Sequence, residues 1–317
     1  MDPPTIYIEP DNLSQIQVAT GGNGFLMGSS TGGMLNMQLA MPDCDCEKTW
    51  SGSVSSGFQS AANAWYEGAV LQYSSAPWAV RLSGTYRKSG DYRAGGGDRI
   101  PFSQYEKANF SASVLRKLKN GTALKADLLA DDGWNIGYPA LPMDVGLATA
   151  RIAALSWSRS VPDGRWLNWE AKIYANQVHH NMDDTHRPFV PMHMDMPGYS
   201  ETEGAYAQGT LLPTKNQRLF LRADASSTFL KASMTMYQRN QTPMYMLTWP
   251  DNRNNQAGLG ARWSWQGDSL NRWVVNLRTD LEQASLVGDM AKGQVEVFGY
   301  PVGARFFWLK NASAQWQ

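Results

Sequence analysis

The sequence lacks an excess of charge of either sign, a long apolar run and a set of cysteines. Lys plus Arg and Asp plus Glu each number 28 among 317 residues, so the formal net charge is zero. Nucleic acid is therefore not expected as a partner, since phosphate backbones are bound mainly through excess positive charge. No stretch reaches the roughly 18 apolar residues that suggest a membrane-spanning helix. The two cysteines, Cys44 and Cys46, lie too close for an easy disulfide, and we interpret them as loop thiols.

The first residues also lack the features of an export signal. Residues 1–10 contain no basic stretch, no apolar core and no cleavage site of small residues. If the protein is exported, we expect its targeting segment to lie outside this chain.

From about Ser51 onward, apolar and polar residues alternate with period two. Val80, Leu82 and Tyr86, for example, alternate with Arg81 and Ser83. This period is typical of strands with two unlike faces. We count about a dozen such segments, most of them at or above the roughly 9–11 residues that a strand needs to cross a bilayer. Helical spacing is nowhere sustained.

The connections between these segments alternate in length. Short turns are predicted near 75–77, 119–121, 161–164, 213–215 and 266–268, and long polar loops near 90–103, 132–145, 183–198, 240–254 and 282–292. Short turns on one side and long loops on the other are typical of outer-membrane barrels. A soluble β-sandwich or propeller also alternates. Segments as long as 165–182 and 217–237, with charged faces of both signs, favour the membrane barrel.

The N-terminal region has a different pattern, with short apolar stretches separated by glycines. It resembles the end of the plug domain of TonB-dependent receptors, in which an I-x-V strand enters a glycine turn and a G-G-x-x-N strand leads into the barrel. The matching residues are Ile16, Val18, Gly21, Gly28, Gly32, Gly33 and Asn36. Residues 83–93 and 133–144 are similar to barrel segments of the same family. The resemblance implies the C-terminal part of a plug at 1–48 and, at 49–317, the N-terminal half of an all-β, antiparallel transmembrane barrel of about 22 strands.

The resemblance also implies a location and partners. A TonB-dependent receptor lies in the bacterial outer membrane, contacts lipid and imports a scarce nutrient with energy passed on by the TonB complex. The segment that contacts TonB is not part of this sequence, and we expect the chain to be a fragment in which Met1 is internal. No nucleophile or phosphate-binding motif is present, so we expect a transporter without a catalytic cofactor.

One short region concentrates residues that bind soft metal ions. All four histidines lie between 179 and 193, interspersed with methionines. Thioether and imidazole groups together suit copper. Alternation from Glu170 predicts that His180 and Met182 face the lumen at the loop-ward end of a strand. We predict that these two residues bind an incoming ion, with a second, weaker set formed by Met192, His193, Met194 and Met196.

A narrower resemblance supports copper as the transported ion. The stretch Met1–Thr5 is similar to a plug segment of the copper-receptor branch, in which a C-x-x-x-M pair meets an H-x-M pair from the barrel. His180-Asn181-Met182 matches the second pair, which implies that Met1, His180 and Met182 are copper ligands. The cysteine of the first pair would lie four residues before Met1, outside this chain.

Two alternatives remain open at this level. The chain could belong to a receptor for a siderophore or another organic ligand, bound in the lumen by side chains such as Tyr174, Arg222 and Trp263. It could instead be a soluble β-rich binding module, in which case its Trp-bearing faces would pack into a dry core.

Overall fold

The computed structural model describes residues 4–20, 28, 33–42, 44, 47–161, 164–188, 192–238, 241–268 and 271–316. Two short 3-10 turns, Pro4–Tyr7 and Pro10–Asn12, precede an antiparallel hairpin of β1 (Leu13–Thr20) and β2 (Gly33–Leu39). The rest of the chain forms one antiparallel sheet of twelve strands, each paired with its neighbours in sequence. The sheet is not closed and forms a partial barrel with β3 and β14 at its edges.

The strands of this sheet lengthen from 11 residues in the first strand to 23 in the tenth, and the last two strands are shorter, with 15 and 12 residues. The twelve strands are β3 (Thr49–Gln59), β4 (Ala64–Ser74), β5 (Trp78–Ser89), β6 (Tyr105–Lys117), β7 (Thr122–Ile136), β8 (Asp144–Ser160), β9 (Trp166–Asp183), β10 (His193–Thr214), β11 (Gln217–Tyr237), β12 (Met244–Gln266), β13 (Arg272–Leu286) and β14 (Arg305–Trp316). One helix, α1 (Asp289–Val297), lies between β13 and β14. The predicted fold of about a dozen antiparallel strands is confirmed.

Among the residues that the structure describes, no helix has the length and apolar character needed to cross a lipid bilayer.

The two faces of the sheet carry different side chains, as the alternation predicts. We call the face that contacts residues 6–12 the inner face. Buried polar side chains such as Arg81, Ser83 and Asp127 lie on it. On the opposite, outer face, large apolar side chains are exposed, including Ile173 at 60% and Leu259 at 61%. An apolar outer face suits contact with lipid, because lipid offers no partners for polar groups.

The two ends of the strands also differ. Connections at the short-turn end span 75–77, 118–121, 161–165, 215–216 and 267–271, whereas those at the long-loop end include 90–104, 137–143, 184–192 and 287–304. The predicted alternation of short and long connections is confirmed.

The expected loops at 183–198 and 240–254 were too long, because β10 begins at His193 and β12 at Met244. Asn252–Asn255 continue to pair with β13. Polar residues occupy both faces of β12 at these positions, so the sequence loses its period-two alternation although the strand continues.

A short N-terminal segment is held on the inner face by buried polar contacts. The Glu9 carboxylate lies 2.8 Å from the Arg87 guanidinium and 3.0 Å from the Lys107 ammonium. The Asn12 amide donates to Asn109 at 2.6 Å. Glu9 and Asn12 are almost fully buried. Because a buried charge without a partner is costly, these contacts fix the segment against β5 and β6.

A second buried network joins β11, β12 and β13. The fully buried Arg278 guanidinium donates two parallel hydrogen bonds to Asp224, at 2.8 and 2.9 Å, and its Nε lies 3.0 Å from the Asp280 carboxylate. Gly258 lies between these groups in register, opposite both Asp224 and Asp280. A Cβ at this position would overlap the Arg278 and Asp280 side chains.

We expect Gly258→Ala to destabilise the sheet by about 1–3 kcal/mol, because the added methyl forces the buried Arg278 and Asp280 side chains apart. Thermal unfolding in detergent micelles measures the effect. Gly84→Ala is the matched control, since a Cβ there has its nearest neighbour at 3.9 Å. Equal midpoints for the two variants would show that the network tolerates the methyl group.

Candidate metal-binding site

His180 and Met182 lie on the inner face near the loop-ward end of β9, as predicted. His180 is buried, with 6% of its surface exposed. Met182 pairs in register with Val145 on β8 and Met196 on β10. Both side chains are therefore held by a continuous ladder of three strands.

The N-terminal segment reaches this place. Tyr7 is 5% exposed and forms an apolar cluster with Val145 and Ala148, against which Met182 packs. Met1, the third predicted ligand, lies outside the described residues.

The second predicted set is divided between the two faces. Met194 and Met196 lie within β10, not in a loop, and share the inner face with Met182. His193 lies on the other face, with 63% of its side chain exposed. Met192 is half-buried and precedes the strand. The structure therefore brings Met194 and Met196 together with Met182 but turns His193 away.

Further methionines that we did not predict complete this group. Met236 on β11 pairs with Met194 on one side and with Met244 on the other, while Met234 pairs with Met246. We call the inner-face set the methionine band: Met182, Met194, Met196, Met234, Met236, Met244 and Met246. The sequence signal was the Met-x-Met spacing, which places both residues on one face of a strand.

The methionine band offers neighbouring sulfur atoms at graded depth. Side chains directly opposite on adjacent strands have Cβ atoms about 4.5–5.5 Å apart, within reach of a shared ion for flexible thioethers. Met236 is 8% exposed, whereas Met244 is 47% exposed. Burial therefore differs between these two register partners at the same end of the sheet.

The remaining histidines do not join the band. His179 faces outward and stacks on the Tyr199 ring, with ring centroids 4.8 Å apart. His186 is exposed in a turn. Within the described part of the chain, no three side chains of His, Cys, Asp or Glu lie together as metal ligands.

The residues proposed for an organic ligand are also divided. Arg222 lies on the inner face, 4.0 Å above the Tyr206 ring and 2.7 Å from Gln208 Oε1. Tyr174, on the same face of β9, lies against Gly204. Placing Trp263 in the lumen was wrong, because it shares the outer face with Leu259. The polar residues next to Trp263 alternate with apolar ones, as expected for a strand. Alternation by itself, however, does not show which of the two faces of the strand is the inner face.

Two carboxylates, the buried Asp184 and the exposed Asp195, organise the residues near the site. Asp184 is 2% exposed, accepts a hydrogen bond from the Met194 amide at 3.1 Å and lies 3.1 Å from His193 Nδ1. Next to His193, the Tyr237 phenol donates to Asp195, which raises the pKa of that phenol above its usual value. The start of β10 is thus fixed by charge and hydrogen bonding.

Arg187 joins three loops at the long-loop end. Its guanidinium binds the carboxylate of Asp144, with 3.0 Å between Nε and Oδ2, and donates to the carbonyls of Tyr138 and Met143 at 2.9 and 3.2 Å. It also lies 3.8 Å from the centroid of the Phe102 ring. Arg187 and Asp144 are both nearly buried. This side chain therefore holds 90–104, 137–143 and 184–188 together.

Replacing Arg187 by Gln leaves the buried Asp144 carboxylate without its cation, a loss of about 3–5 kcal/mol. We expect amide hydrogen exchange in 137–143 and 184–188 to accelerate by roughly 100-fold or more. Arg99→Gln removes an ion pair between an exposed guanidinium and Asp91 in the same loop region and serves as control. Unchanged exchange in the Arg187 variant would contradict this function of the side chain.

No protein-family model and no curated protein matches the sequence. Solved structures do match it. The copper transporter OprC superposes with a TM-score of 0.86 and 19% identity, over 99% of this chain and 49% of that one. The iron transporter FrpB from Neisseria meningitidis gives 0.72 and 13% over 98% and 51%.

The hemophore receptor HasR of Serratia marcescens, in complex with its hemophore HasA and heme, gives a TM-score of 0.70 and 16% identity over 98% of this chain and 48% of that one. The chain thus spans about half the length of the structures it matches. These structures are outer-membrane TonB-dependent receptors of Gram-negative bacteria. The chain therefore has the fold of the TonB-dependent outer-membrane receptors.

Proposed function

We propose that this chain is part of a TonB-dependent receptor in the bacterial outer membrane that imports a soft metal ion, with copper favoured. The observation that carries the proposal is the methionine band, whose half-buried member Met182 lies two residues from the buried His180 on the inner face of β9. The likeness to a copper transporter supports the same substrate.

The proposed domains follow from the two sheets. Residues 1–48 would be the C-terminal part of a plug, and 49–317 about half of the barrel wall. The buried contacts of Glu9 and Asn12 with the wall support this division. Contact with the TonB complex would be made by a segment outside this sequence, and the apolar outer face would contact lipid.

The chemistry of the band favours a soft ion. Thioether sulfur binds Cu(I) well and binds hard cations such as Mg²⁺ poorly, while imidazole binds both Cu(I) and Cu(II). An ion arriving at the long-loop end would first meet the exposed Met244 and then more buried sulfur atoms. His180 and Met182 would be the final ligands, completed by Met1. The ion is cargo and not a catalytic cofactor.

A second candidate is import of a siderophore, heme or another organic ligand. The inner-face cluster of Arg222, Tyr206 and Gln208 supports it, because such groups bind carboxylates and ring systems. Several of the matched structures are named as transporters or receptors of such ligands, including a ferric citrate transporter. A soluble binding module is disfavoured by the exposed apolar outer face.

Silver ion, a redox-stable substitute for Cu(I), tests the metal proposal on the full chain in detergent. We expect the double variant His180→Ala/Met182→Ala to lose affinity by roughly tenfold or more. Met236→Leu/Met244→Leu, which removes sulfur at similar volume, should lower the number of bound ions. Isothermal titration and elemental analysis of the purified protein measure both effects.

His179→Ala is the matched control, because this neighbour of His180 faces outward. Its binding should equal that of the unchanged protein. Equal silver binding by all variants would exclude the site. Saturable binding of hemin or ferric citrate that requires Arg222, without silver binding, would favour the second candidate.

A further inference from the structure

Charge is distributed unequally between the two ends of the sheet. Exposed basic side chains gather at the short-turn end: Arg116, Lys119, Arg159, Arg165, Lys215 and Arg272. Acidic residues in the described turns at this end are limited to Glu47 and Asp268. The short-turn end therefore carries excess positive charge, although the chain as a whole is neutral.

Part of this charge lies on the outer face, next to tryptophans. Arg116 on β6 pairs with Trp78 on β5, and its guanidinium lies 4.9 Å from the indole centroid. On β8 and β9, Arg159 pairs with Trp169, which meets Trp157 edge-on with centroids 4.3 Å apart. All of these side chains except Trp169 are exposed.

These groups form one continuous surface. β7 lies between β6 and β8, and Arg116 and Arg159 are offset by two residues along the strands, so their Cα atoms are about 12 Å apart. Lys119 lies in the turn that joins β6 to β7. We call this set the basic–tryptophan patch: Trp78, Arg116, Lys119, Trp157, Arg159 and Trp169.

The order of chemistry along the strands matches a lipid monolayer. Leu155 and Leu128, further from the turns, are exposed and apolar. Trp78 and Trp169 lie next to the turns, at the same level as their register partners Arg116 and Arg159. Tryptophan prefers the level of lipid headgroups, and basic residues just beyond the apolar band attract anionic lipids.

The cations of the patch are not neutralised by protein. Within the described residues, no carboxylate forms an ion pair with Arg116, Lys119 or Arg159. Outer-face cations at the opposite end differ, because Arg151 lies 2.8 Å from Asp132 and Lys231 lies 3.7 Å from Asp251. Among the described residues, outer-face cations without a carboxylate partner therefore gather at the short-turn end, while Arg253 nearer the long-loop end contacts Phe229 and Ser227 instead.

We infer that the basic–tryptophan patch binds the phosphate headgroup of an anionic phospholipid, such as phosphatidylglycerol, in the leaflet next to the short turns. Arg116 and Arg159 contact the phosphate from two sides, Lys119 adds charge from below, and the indoles pack against the glycerol region. The bound lipid would fix this part of the wall relative to the membrane surface.

The full chain, reconstituted in phosphatidylethanolamine vesicles with a small fraction of spin-labelled phosphatidylglycerol, tests the inference. Electron paramagnetic resonance measures the label immobilised at the protein, relative to labelled phosphatidylethanolamine. We expect several-fold enrichment of phosphatidylglycerol. The triple variant R116Q/K119Q/R159Q should abolish it, with up to about fivefold loss per cation removed.

Two further variants test whether the enrichment comes from a specific site, and not from a folding defect in the triple variant or from general electrostatic attraction of the lipid. R116K/R159K keeps both charges and should retain enrichment. R151Q/K231Q removes two cations at the other end and should leave enrichment unchanged. Three results would overturn the inference. They are equal association of the two lipids with the protein, phosphatidylglycerol enrichment that survives the triple variant, and equal loss of enrichment in R116Q/K119Q/R159Q and R151Q/K231Q.

Enrichment of diphosphorylated lipid A in place of phosphatidylglycerol, removed by R151Q/K231Q, would also overturn it. The measurement uses no metal ion. Failure of the import proposal would therefore leave this inference standing, and its own failure would leave the import proposal standing.

Discussion

Backbone pairing between consecutive antiparallel strands is the constraint on which the rest of this structure depends. Each interior strand satisfies its N–H and C=O groups with two neighbours, so the sheet can present an apolar outer face without exposing unpaired backbone to lipid. Pairing also fixes register, and a shift by one residue would exchange the two faces. The buried Arg278 with Asp224 and Asp280, and the position of Gly258 between them, exist only in this register.

The N-terminal segment is attached by a different kind of interaction. Charged and amide hydrogen bonds from β5 and β6 hold Glu9 and Asn12, while Tyr7 contributes an apolar contact beside Met182. Polar attachment of this kind depends on geometry, since each buried group requires its partner. The same few residues therefore connect the wall to the candidate metal-binding site, and movement of the segment would change the surroundings of His180.

Two chemical gradients run along the strands in opposite directions. Sulfur ligands and organised loops lie at the long-loop end, where Arg187 joins three connections. Unpaired positive charge and tryptophan lie at the short-turn end. The long strands β9 to β12 separate the two by far more than the 9–11 residues of a bilayer crossing. The candidate metal-binding site and the basic–tryptophan patch can therefore be altered independently by mutation.

The sequence alone determined the antiparallel sheet, its approximate strand number, the alternation of connections and the shared face of His180 and Met182, because all of these follow from period-two alternation within single segments. Only the tertiary structure decided which methionines meet. Met194 is distant in sequence from Met236 and Met244 and lies beside Met236 only through the register of β10 with β11. It also decided that Trp263 and His193 face away from the inner surface and that Arg187 joins three loops. Which face of a strand points inward, and which loops touch, depend on how the strands pair and curve around the N-terminal segment. No local sequence pattern contains that information.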